Sequence, residues 1–188
     1  MGWAERLAGS GLARVVHLAS SVSTQTIARR MAEQGAPDRT LVIADRQTRG
    51  RGRMGNRWSS GLGGLYFSIV LRPKLAPCQL ADLSRSSADA CARSLAELSG
   101  LSMYVKPPND VFAVGESGAR KVCGILIEAS GGSRSVDWVV VGIGVNVNNR
   151  IPGGLAEAAS LKSLAGRRFD PEPLLKRLLR ALVANFQS

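Results

Sequence analysis

The most distinctive chemistry in the sequence lies in residues 49–58, RGRGRMGNRW, where four arginines and three glycines occur within ten residues. Glycine lets backbone N–H groups approach a ligand and form an anion-binding nest, and arginine donates paired hydrogen bonds to carboxylates and phosphates. Because ordering a glycine-rich loop costs entropy and its cations repel one another, we expect this segment to bind an anionic ligand. Trp58 adds an aromatic surface for a purine. The alternative from these residues alone is a mobile surface loop with a core tryptophan.

Residues 50–55, GRGRMG, match the G-x-G-x-x-G pattern of phosphate-binding loops. A dinucleotide-binding loop needs a strand before it and a helix after it. Here a predicted strand precedes the loop, but residues 56–71 lead into another strand. No kinase H-R-D or D-F-G motif and no Walker lysine follows. We therefore expect an anion-binding loop of another kind.

Length and composition predict one globular domain of 188 residues, with 45% hydrophobic and 21% charged residues. No apolar run is long enough for a membrane span, and the N-terminus lacks a clear signal-peptide pattern, so we expect a cytoplasmic protein. The net charge of +11 fits a polyphosphate substrate, an acidic protein partner, nucleic acid or a solvated basic surface.

Cysteine and histidine are too few and too scattered for a zinc knuckle, a disulfide framework or a Ser/His triad. The sequence has one histidine and three distant cysteines, Cys78, Cys91 and Cys123. We expect each cysteine to be a small core residue. No metal-ligating residues are predicted.

Hydrophobic spacing and turn residues predict the elements that position the loop. Helices are predicted at residues 24–34, 80–98 and 170–186. Strands are predicted at residues 40–44, 64–71, 121–129 and 137–147, with two shorter strands separated by prolines within 103–114. Because strands joined by hairpins pair antiparallel, we expect an α+β fold with a mixed, largely antiparallel central sheet and helices packed on it.

Five stretches occur in a fixed order: VSTQ at residues 22–25, GRGRMGNRW at 50–58, KPPNDV at 106–111, RKVCGILIE at 120–128 and GIGVNVN at 142–148. They resemble the S-T-N, G-R-G-R-x-G-R-x-W, K-W-P-N-D, K-x-x-G-I-L-x-E and G-x-G-I-N motifs of biotin protein ligases. This family is related to lipoate ligases and class II aminoacyl-tRNA synthetases. No single motif is specific, but the ordered set covers most of the chain. The resemblance implies a class II synthetase-like fold.

The resemblance also implies a two-step reaction. The carboxylate of biotin attacks the α-phosphate of ATP, which gives biotinyl-5'-AMP and pyrophosphate. A lysine amine of a biotin carboxyl carrier protein, part of acetyl-CoA carboxylase or a related carboxylase, then attacks the mixed anhydride. Mg²⁺ is expected with ATP, without assigned protein ligands. This chemistry needs positioning and charge neutralisation more than a protein nucleophile, which suits a chain rich in arginine.

Other interpretations stay open. One is a lipoate or other acyl-adenylate ligase, and another is a basic nucleic-acid-binding module, although base-stacking aromatic residues are few. No specific nucleic-acid partner is expected. The oligomeric state is open, with a homodimer included. We expect the arginine-glycine loop to close over the activated ligand and exclude water.

Catalytic roles follow from the resemblance position by position. Lys121, Arg51 and Arg53 are expected to be the catalytic cations, and Lys121 is the first choice beside the carboxylate and α-phosphate. Lys106 and Asp110 are expected to support them.

The ligand-binding residues follow in the same way. Ser23 and Thr24 are expected to bind the ureido ring of biotin, and Trp58 is expected to lie against adenine. Asn109 and Asn146 are expected on the nucleotide side. The set expected to bind biotin or ATP comprises Ser23, Thr24, Gln25, Gln47, Gly50, Arg51, Gly52, Arg53, Trp58, Asn109, Lys121, Gly124 and Asn146.

Three positions depart from the family pattern: Gln25 replaces asparagine, Asn56 replaces arginine, and Pro107 replaces tryptophan. Residues 1–188 are expected to form a single catalytic domain. No N-terminal DNA-binding domain is expected, because too few residues precede residue 20. The small C-terminal β-barrel domain common in the family is expected to be absent.

Overall fold

The computed structural model describes residues 2–116 and 118–186. Its strands are β1 (Arg14–Leu18), β2 (Thr40–Ala44), β3 (Gln47–Arg51), β4 (Arg57–Ser60), β5 (Leu65–Leu71), β6 (Met103–Lys106), β7 (Asp110–Gly115), β8 (Gly118–Gly131) and β9 (Val136–Val145). Seven of them form one sheet in the order β1-β2-β5-β9-β8-β7-β6, and β3 pairs with β4 in a separate hairpin. β1 and β2 are parallel, and the other pairs are antiparallel.

The helices are α1 (Trp3–Arg6), α2 (Thr24–Glu33), α3 (Leu80–Ser99), α4 (Leu161–Ala165) and α5 (Pro171–Asn185). On one face of the sheet α2 packs Ala28 and Ala32 against Val42, Val70 and Val140. The opposite face is covered by α3 and α5, which form the larger core with the alternate strand residues. Because α2 is short, it leaves part of its face of the sheet uncovered, and the hairpin β3–β4 lies there.

Local sequence explains where the helices begin and end. Asp170 caps α5 by accepting a hydrogen bond from the Glu172 amide at 2.9 Å, and Pro171 occupies its first turn. Gly100 ends α3 with a φ of 77°, a left-handed conformation that favours glycine.

The α+β class with a largely antiparallel sheet is confirmed, as are the predicted helices at α2, α3 and α5. Prediction missed α1, α4 and β1. The β1 strand has two exposed residues, Arg14 and His17, and therefore lacks the apolar run of a buried strand. Within the described residues no helix is both long and apolar enough to span a membrane.

Two expectations were wrong. Much of the arginine-glycine segment, expected to be an irregular loop, belongs to β3 and β4, with a short 3-10 turn at Arg53–Gly55. Pairing between the two strands overrides the weak strand propensity of glycine and arginine. Cys91 and Cys123 are buried as predicted, but Cys78 is exposed, because it lies in the turn before α3 rather than within an element.

Candidate functional site

A cavity of ≈ 230 Å³ lies between the hairpin β3–β4, the beginning of α2 and the uncovered face of the sheet. The hairpin forms its roof, and β8 and β9 form its floor. Ten of the thirteen residues predicted to bind biotin or ATP line it: Ser23, Gln25, Gln47, Arg51, Gly52, Arg53, Trp58, Asn109, Lys121 and Gly124. Asp110, predicted as a supporting residue, also lines it, and Lys106 does not. The cavity therefore brings together motifs that are spread over a hundred residues of sequence.

Three glycines lie in the floor of the cavity, next to Leu126. Gly124 on β8 pairs with Gly144 on β9, and Gly142 is two residues before Gly144. A Cβ atom at Gly124 would lie 2.8 Å from the Trp58 ring, and one at Gly144 would lie 2.5 Å from Trp58 Nε1. Contacts this short do not occur for real side chains, so the glycines are what allow the indole to lie flat against the sheet. Trp58 Nε1 is buried and has no hydrogen-bond partner.

Among the described residues, four cations line the cavity: Arg51, Arg53, Arg57 and Lys121. Arg57 donates to the Thr48 carbonyl at 3.1 Å, and each of the other three contacts a polar side chain. Lys121 Nζ lies 2.6 Å from Asp110 Oδ2 and 5.3 Å from the Trp58 ring centroid. Arg53 donates to Asn109 Oδ1 at 3.1 Å. A guanidinium has five N–H donors, so Arg53 keeps donors for an anion in the cavity.

Arg51 makes the strongest of these contacts. Its two terminal nitrogens donate to the two carboxylate oxygens of Glu128 at 2.8 and 3.0 Å. Glu128 is the last residue of the motif RKVCGILIE, but no role was predicted for it. A signal was present, because β-strand residues two apart share a face: Gly124, Leu126 and Glu128 form one row along β8.

The beginning of α2 forms a hydrogen-bonded wall. The Thr24 amide and hydroxyl donate to Gln47 Oε1 at 2.8 and 3.2 Å, and Gln47 Nε2 donates to Ser60 Oγ at 2.8 Å. This arrangement satisfies one of the amides that a helix start leaves unpaired. Ser23 Oγ is buried beside the wall without a partner. Ser23 is thus the residue of this wall that can bond to a ligand without breaking an existing hydrogen bond.

Gln25 closes one end of the cavity. Its Nε2 donates to the Val140 carbonyl at 3.3 Å, and its Oε1 lies 3.1 Å from Ser68 Oγ. The amide also occupies the space beside Gly142, where a Cβ atom would collide with Gln25 Oε1. A side chain longer than asparagine therefore reaches across to both β5 and β9.

Three of the residues predicted to bind biotin or ATP do not line the cavity. Thr24 is buried within the wall. Gly50 lies in the roof, where a Cβ atom would collide with the Trp58 carbonyl, so it permits the close pairing of β3 with β4. Asn146 is buried after β9, and its Oδ1 accepts a hydrogen bond from Asn149 Nδ2 at 3.1 Å. Their predicted contacts with biotin or ATP stay predictions.

Two titratable groups outside the cavity lining have a raised pKa. A hydrogen bond with Cys91, together with burial, raises the pKa of the Cys123 thiol well above its usual value. Burial also raises the pKa of the Tyr66 hydroxyl, which donates to the Gly61 carbonyl at 2.8 Å. Both groups are neutral at physiological pH, so neither is an activated nucleophile.

Comparison with known proteins identifies relatives of the whole cavity-bearing region. The family model described as the biotin/lipoate A/B protein ligase family matches residues 18–146. The bifunctional ligase/repressor BirA of Bacillus subtilis is 37% identical over 162 residues, which cover 84% of this chain and 49% of that protein. The biotin–[acetyl-CoA-carboxylase] ligase of Paracoccus denitrificans is 35% identical over 171 residues, which cover 87% of this chain and 69% of that protein. The chain spans about half the length of the Bacillus relative.

Solved structures show the same similarity. The biotin protein ligase from Aquifex aeolicus in complex with biotin and ATP matches with a TM-score of 0.76 and 34% identity, covering 94% of this chain and 71% of that chain. The biotin protein ligase from Leishmania major in complex with biotinyl-5-AMP matches with a TM-score of 0.75 and 25% identity, covering 90% of this chain and 73% of that chain.

Proposed function

Because the chain belongs to the biotin/lipoate A/B protein ligase family, we propose that it is the catalytic part of an ATP-dependent biotin protein ligase. Its α+β fold is the class II synthetase-like fold of its structural neighbours. We further propose that the chain acts as a single catalytic domain. The observation that carries the proposal is the convergence of Arg51, Arg53 and Lys121 on one cavity.

In the first step, a carboxylate oxygen of biotin attacks the α-phosphorus of ATP and the bond to pyrophosphate breaks. Two anions must be brought together, and negative charge grows on the leaving pyrophosphate. Fixed cations in a cavity shielded from water lower the cost of both changes. Lys121, held by Asp110 at 2.6 Å, is suited to the α-phosphate, and Arg51 and Arg53 are suited to the carboxylate and the outer phosphates.

We propose that biotin lies against the wall at the start of α2. Ser23 Oγ is buried and unpaired, so a ureido group there would satisfy it without displacing another contact. Gln47 and Thr24 fix each other and hold the wall rigid. Trp58 would separate this end from the nucleotide, and its unpaired Nε1 offers one further donor.

Mg²⁺ would enter with ATP. Among residues 2–116 and 118–186, no group of three histidine, cysteine, aspartate or glutamate side chains is placed to hold a metal ion. This agrees with the usual behaviour of Mg²⁺, which keeps several waters and binds mainly through substrate phosphates. The charge it supplies would offset that of the phosphates.

In the second step, a lysine amine of the acceptor attacks the acyl carbon of biotinyl-5'-AMP, and AMP leaves. The relatives named biotin–[acetyl-CoA-carboxylase] ligase support a carboxylase carrier domain as acceptor. The adenylate must remain shielded until the amine arrives, because water attacks the same carbon. The hairpin roof supplies that shield in our proposal.

The test is biotin-dependent exchange of radiolabelled pyrophosphate into ATP by the purified chain. We expect exchange with biotin and little with lipoate, followed by transfer to a carrier domain. Exchange with lipoate but not with biotin would replace the proposal with a lipoate ligase, which the family description also includes. Exchange with neither acid would refute the proposed ligase chemistry. A thermal-shift titration with biotin, then with biotin plus MgATP, checks binding independently.

A further inference from the structure

The tip of the hairpin, residues 51–57, is attached to the rest of the molecule differently from its base, residues 47–50 and 58–60. At the base, the Thr48 and Arg49 amides donate to the carbonyls of Ser21 and Val22, each at 2.9 Å. At the tip, the backbone bonds to itself, with the Gly52 amide donating to the Asn56 carbonyl at 2.8 Å. The tip reaches the rest of the molecule through side chains. The position of the roof therefore depends on a few side-chain contacts.

One of those contacts is the paired hydrogen bond between Arg51 and Glu128, which lie 77 residues apart in sequence. Glu128 lies on the cavity face of β8, in the row of Gly124 and Leu126, but beyond the residues that line the cavity. The side chains of Arg51 and Glu128 are 38% and 20% exposed. A partly exposed pair of this kind stabilises modestly and breaks reversibly.

We propose that Glu128 is a positioning residue that holds the hairpin tip over the cavity through Arg51 and so slows the loss of a bound acyl-adenylate. Glu128 itself does not touch the cavity, so it acts through the roof rather than on the reacting atoms. A modest contact suits this role, because the tip must open when substrates enter and when the acceptor lysine arrives. The effect on the adenylate rests on the proposed function, whereas the effect on the tip does not.

The first measurement is limited proteolysis of the ligand-free chain, because trypsin cleaves after arginine and the tip contains three of them. We expect Glu128→Gln to speed cleavage after Arg51, Arg53 or Arg57 by about fivefold, as loss of one partly exposed ion pair predicts. The matched control is Glu97→Gln. Glu97 accepts from Arg177 at 2.8 and 3.0 Å between α3 and α5, away from the hairpin. The Glu97→Gln variant should be cleaved at the same rate as the unmodified protein. If Glu128→Gln were also cleaved at that rate, the proposal would be refuted.

A double-mutant cycle separates the contact from a general loosening of the fold. Arg51→Lys keeps the charge but loses the second hydrogen bond to Glu128, so it should open the tip in the same direction. Because both substitutions break one contact, the double variant should be no more open than the more open single variant. Fully additive effects would contradict the proposal. If Glu128→Gln fails to fold, Arg51→Lys alone supplies the comparison with Glu97→Gln.

The second measurement is the release of preformed biotinyl-5'-AMP. In Glu128→Gln the release rate should rise about fivefold, in proportion to the opening of the tip. If the tip of Glu128→Gln opened more readily but released biotinyl-5'-AMP no faster, Glu128 would not slow the loss of the adenylate. If the unmodified protein forms no adenylate from biotin, the proposed function fails, and the proteolysis comparison still decides whether Glu128 holds the tip.

Discussion

Lys121 Nζ lies 2.6 Å from Asp110 Oδ2 and is thereby fixed at the edge of the cavity. Both side chains are about one quarter exposed, so the pair is open to solvent on one side and to the cavity on the other. Asp110 begins β7, and Lys121 lies on the neighbouring strand β8 opposite Phe112. The hairpin between β7 and β8 therefore positions the cation that we place beside the α-phosphate.

Replacing Lys121 with methionine should abolish most of the adenylation activity. The substitution keeps a chain of similar length but removes the charge, and loss of one transition-state donor reduces turnover by about 100-fold or more. The measurement is biotin-dependent pyrophosphate exchange. Lys74→Met, at an exposed position outside the cavity lining, is the control and should retain full activity. Equal activity in the two variants would remove Lys121 from the mechanism.

Adding a methyl group to the cavity floor should displace Trp58. The Cβ atom of Gly144→Ala would lie 2.5 Å from Trp58 Nε1, so the indole or the strand must move. We expect a loss of about 1–3 kcal/mol in the free energy of unfolding, as overpacking predicts, together with weaker biotin binding.

Urea denaturation and calorimetric titration measure the two effects of Gly144→Ala. Gly132→Ala is the control, since a Cβ atom there meets nothing within 4 Å. If Gly144→Ala bound biotin as tightly as Gly132→Ala, Trp58 would not be held against the floor when the ligand binds.

Thr24→Val should destabilise the wall at the start of α2. Valine keeps the shape of the buried side chain but loses the hydroxyl that donates to Gln47 at 3.2 Å and lies 3.0 Å from Ser68 Oγ. Losing both contacts at a buried position should lower the free energy of unfolding by about 1–3 kcal/mol, although Gln47 keeps the Thr24 amide and Ser68 keeps Gln25 as partners. Thr48→Val, at an exposed residue, removes only a long hydrogen bond to the Ser21 carbonyl at 3.4 Å and should change the free energy of unfolding by less than about 0.5 kcal/mol. Urea denaturation of both variants under the same conditions measures their free energies of unfolding, which can then be compared.

Thiol labelling should distinguish the three cysteines. Burial and the hydrogen bond with Cys91 raise the pKa of the Cys123 thiol, so the reactive thiolate is depleted at every pH below that raised value. Cys78 is exposed. At pH 8, iodoacetamide should modify Cys78 first and Cys123 only after unfolding. Mass spectrometry of the peptides measures this order, and rapid native labelling of Cys123 would contradict the packing described for β8.

Much of the site could be predicted from sequence because its chemistry is carried by residue types that rarely occur together. Arginine and glycine in alternation indicated an anion-binding segment, and Lys121 and Asn109 followed from the order of the motifs. Asn146 lies outside the cavity lining, and its side-chain oxygen accepts a hydrogen bond from Asn149. A motif gives the order of the residues along the chain, but it does not show which neighbouring groups hydrogen-bond to each side chain in the folded protein.

The fold was predictable where an element is buried and uninterrupted. The strand β2 is buried along its whole length, and its apolar run predicted its bounds. The hairpin β3–β4 was missed as paired strands, since its residues have low strand propensity and its register depends on Gly50 passing close to Trp58. The pair between Arg51 and Glu128 was missed because alternation along β8 places Glu128 on the cavity face but does not show which residue of the hairpin lies above it.

The three glycines in the floor of the cavity limit how substitutions can change its ligand preference. Because Gly124, Gly142 and Gly144 have no side chains, a mutation at any of these three positions can only make the cavity shallower. A larger acid must instead be accommodated by replacing surrounding side chains with smaller ones, above all Trp58 above the floor and Gln25 at the closed end. Engineering of new acyl substrates would therefore start from those two positions.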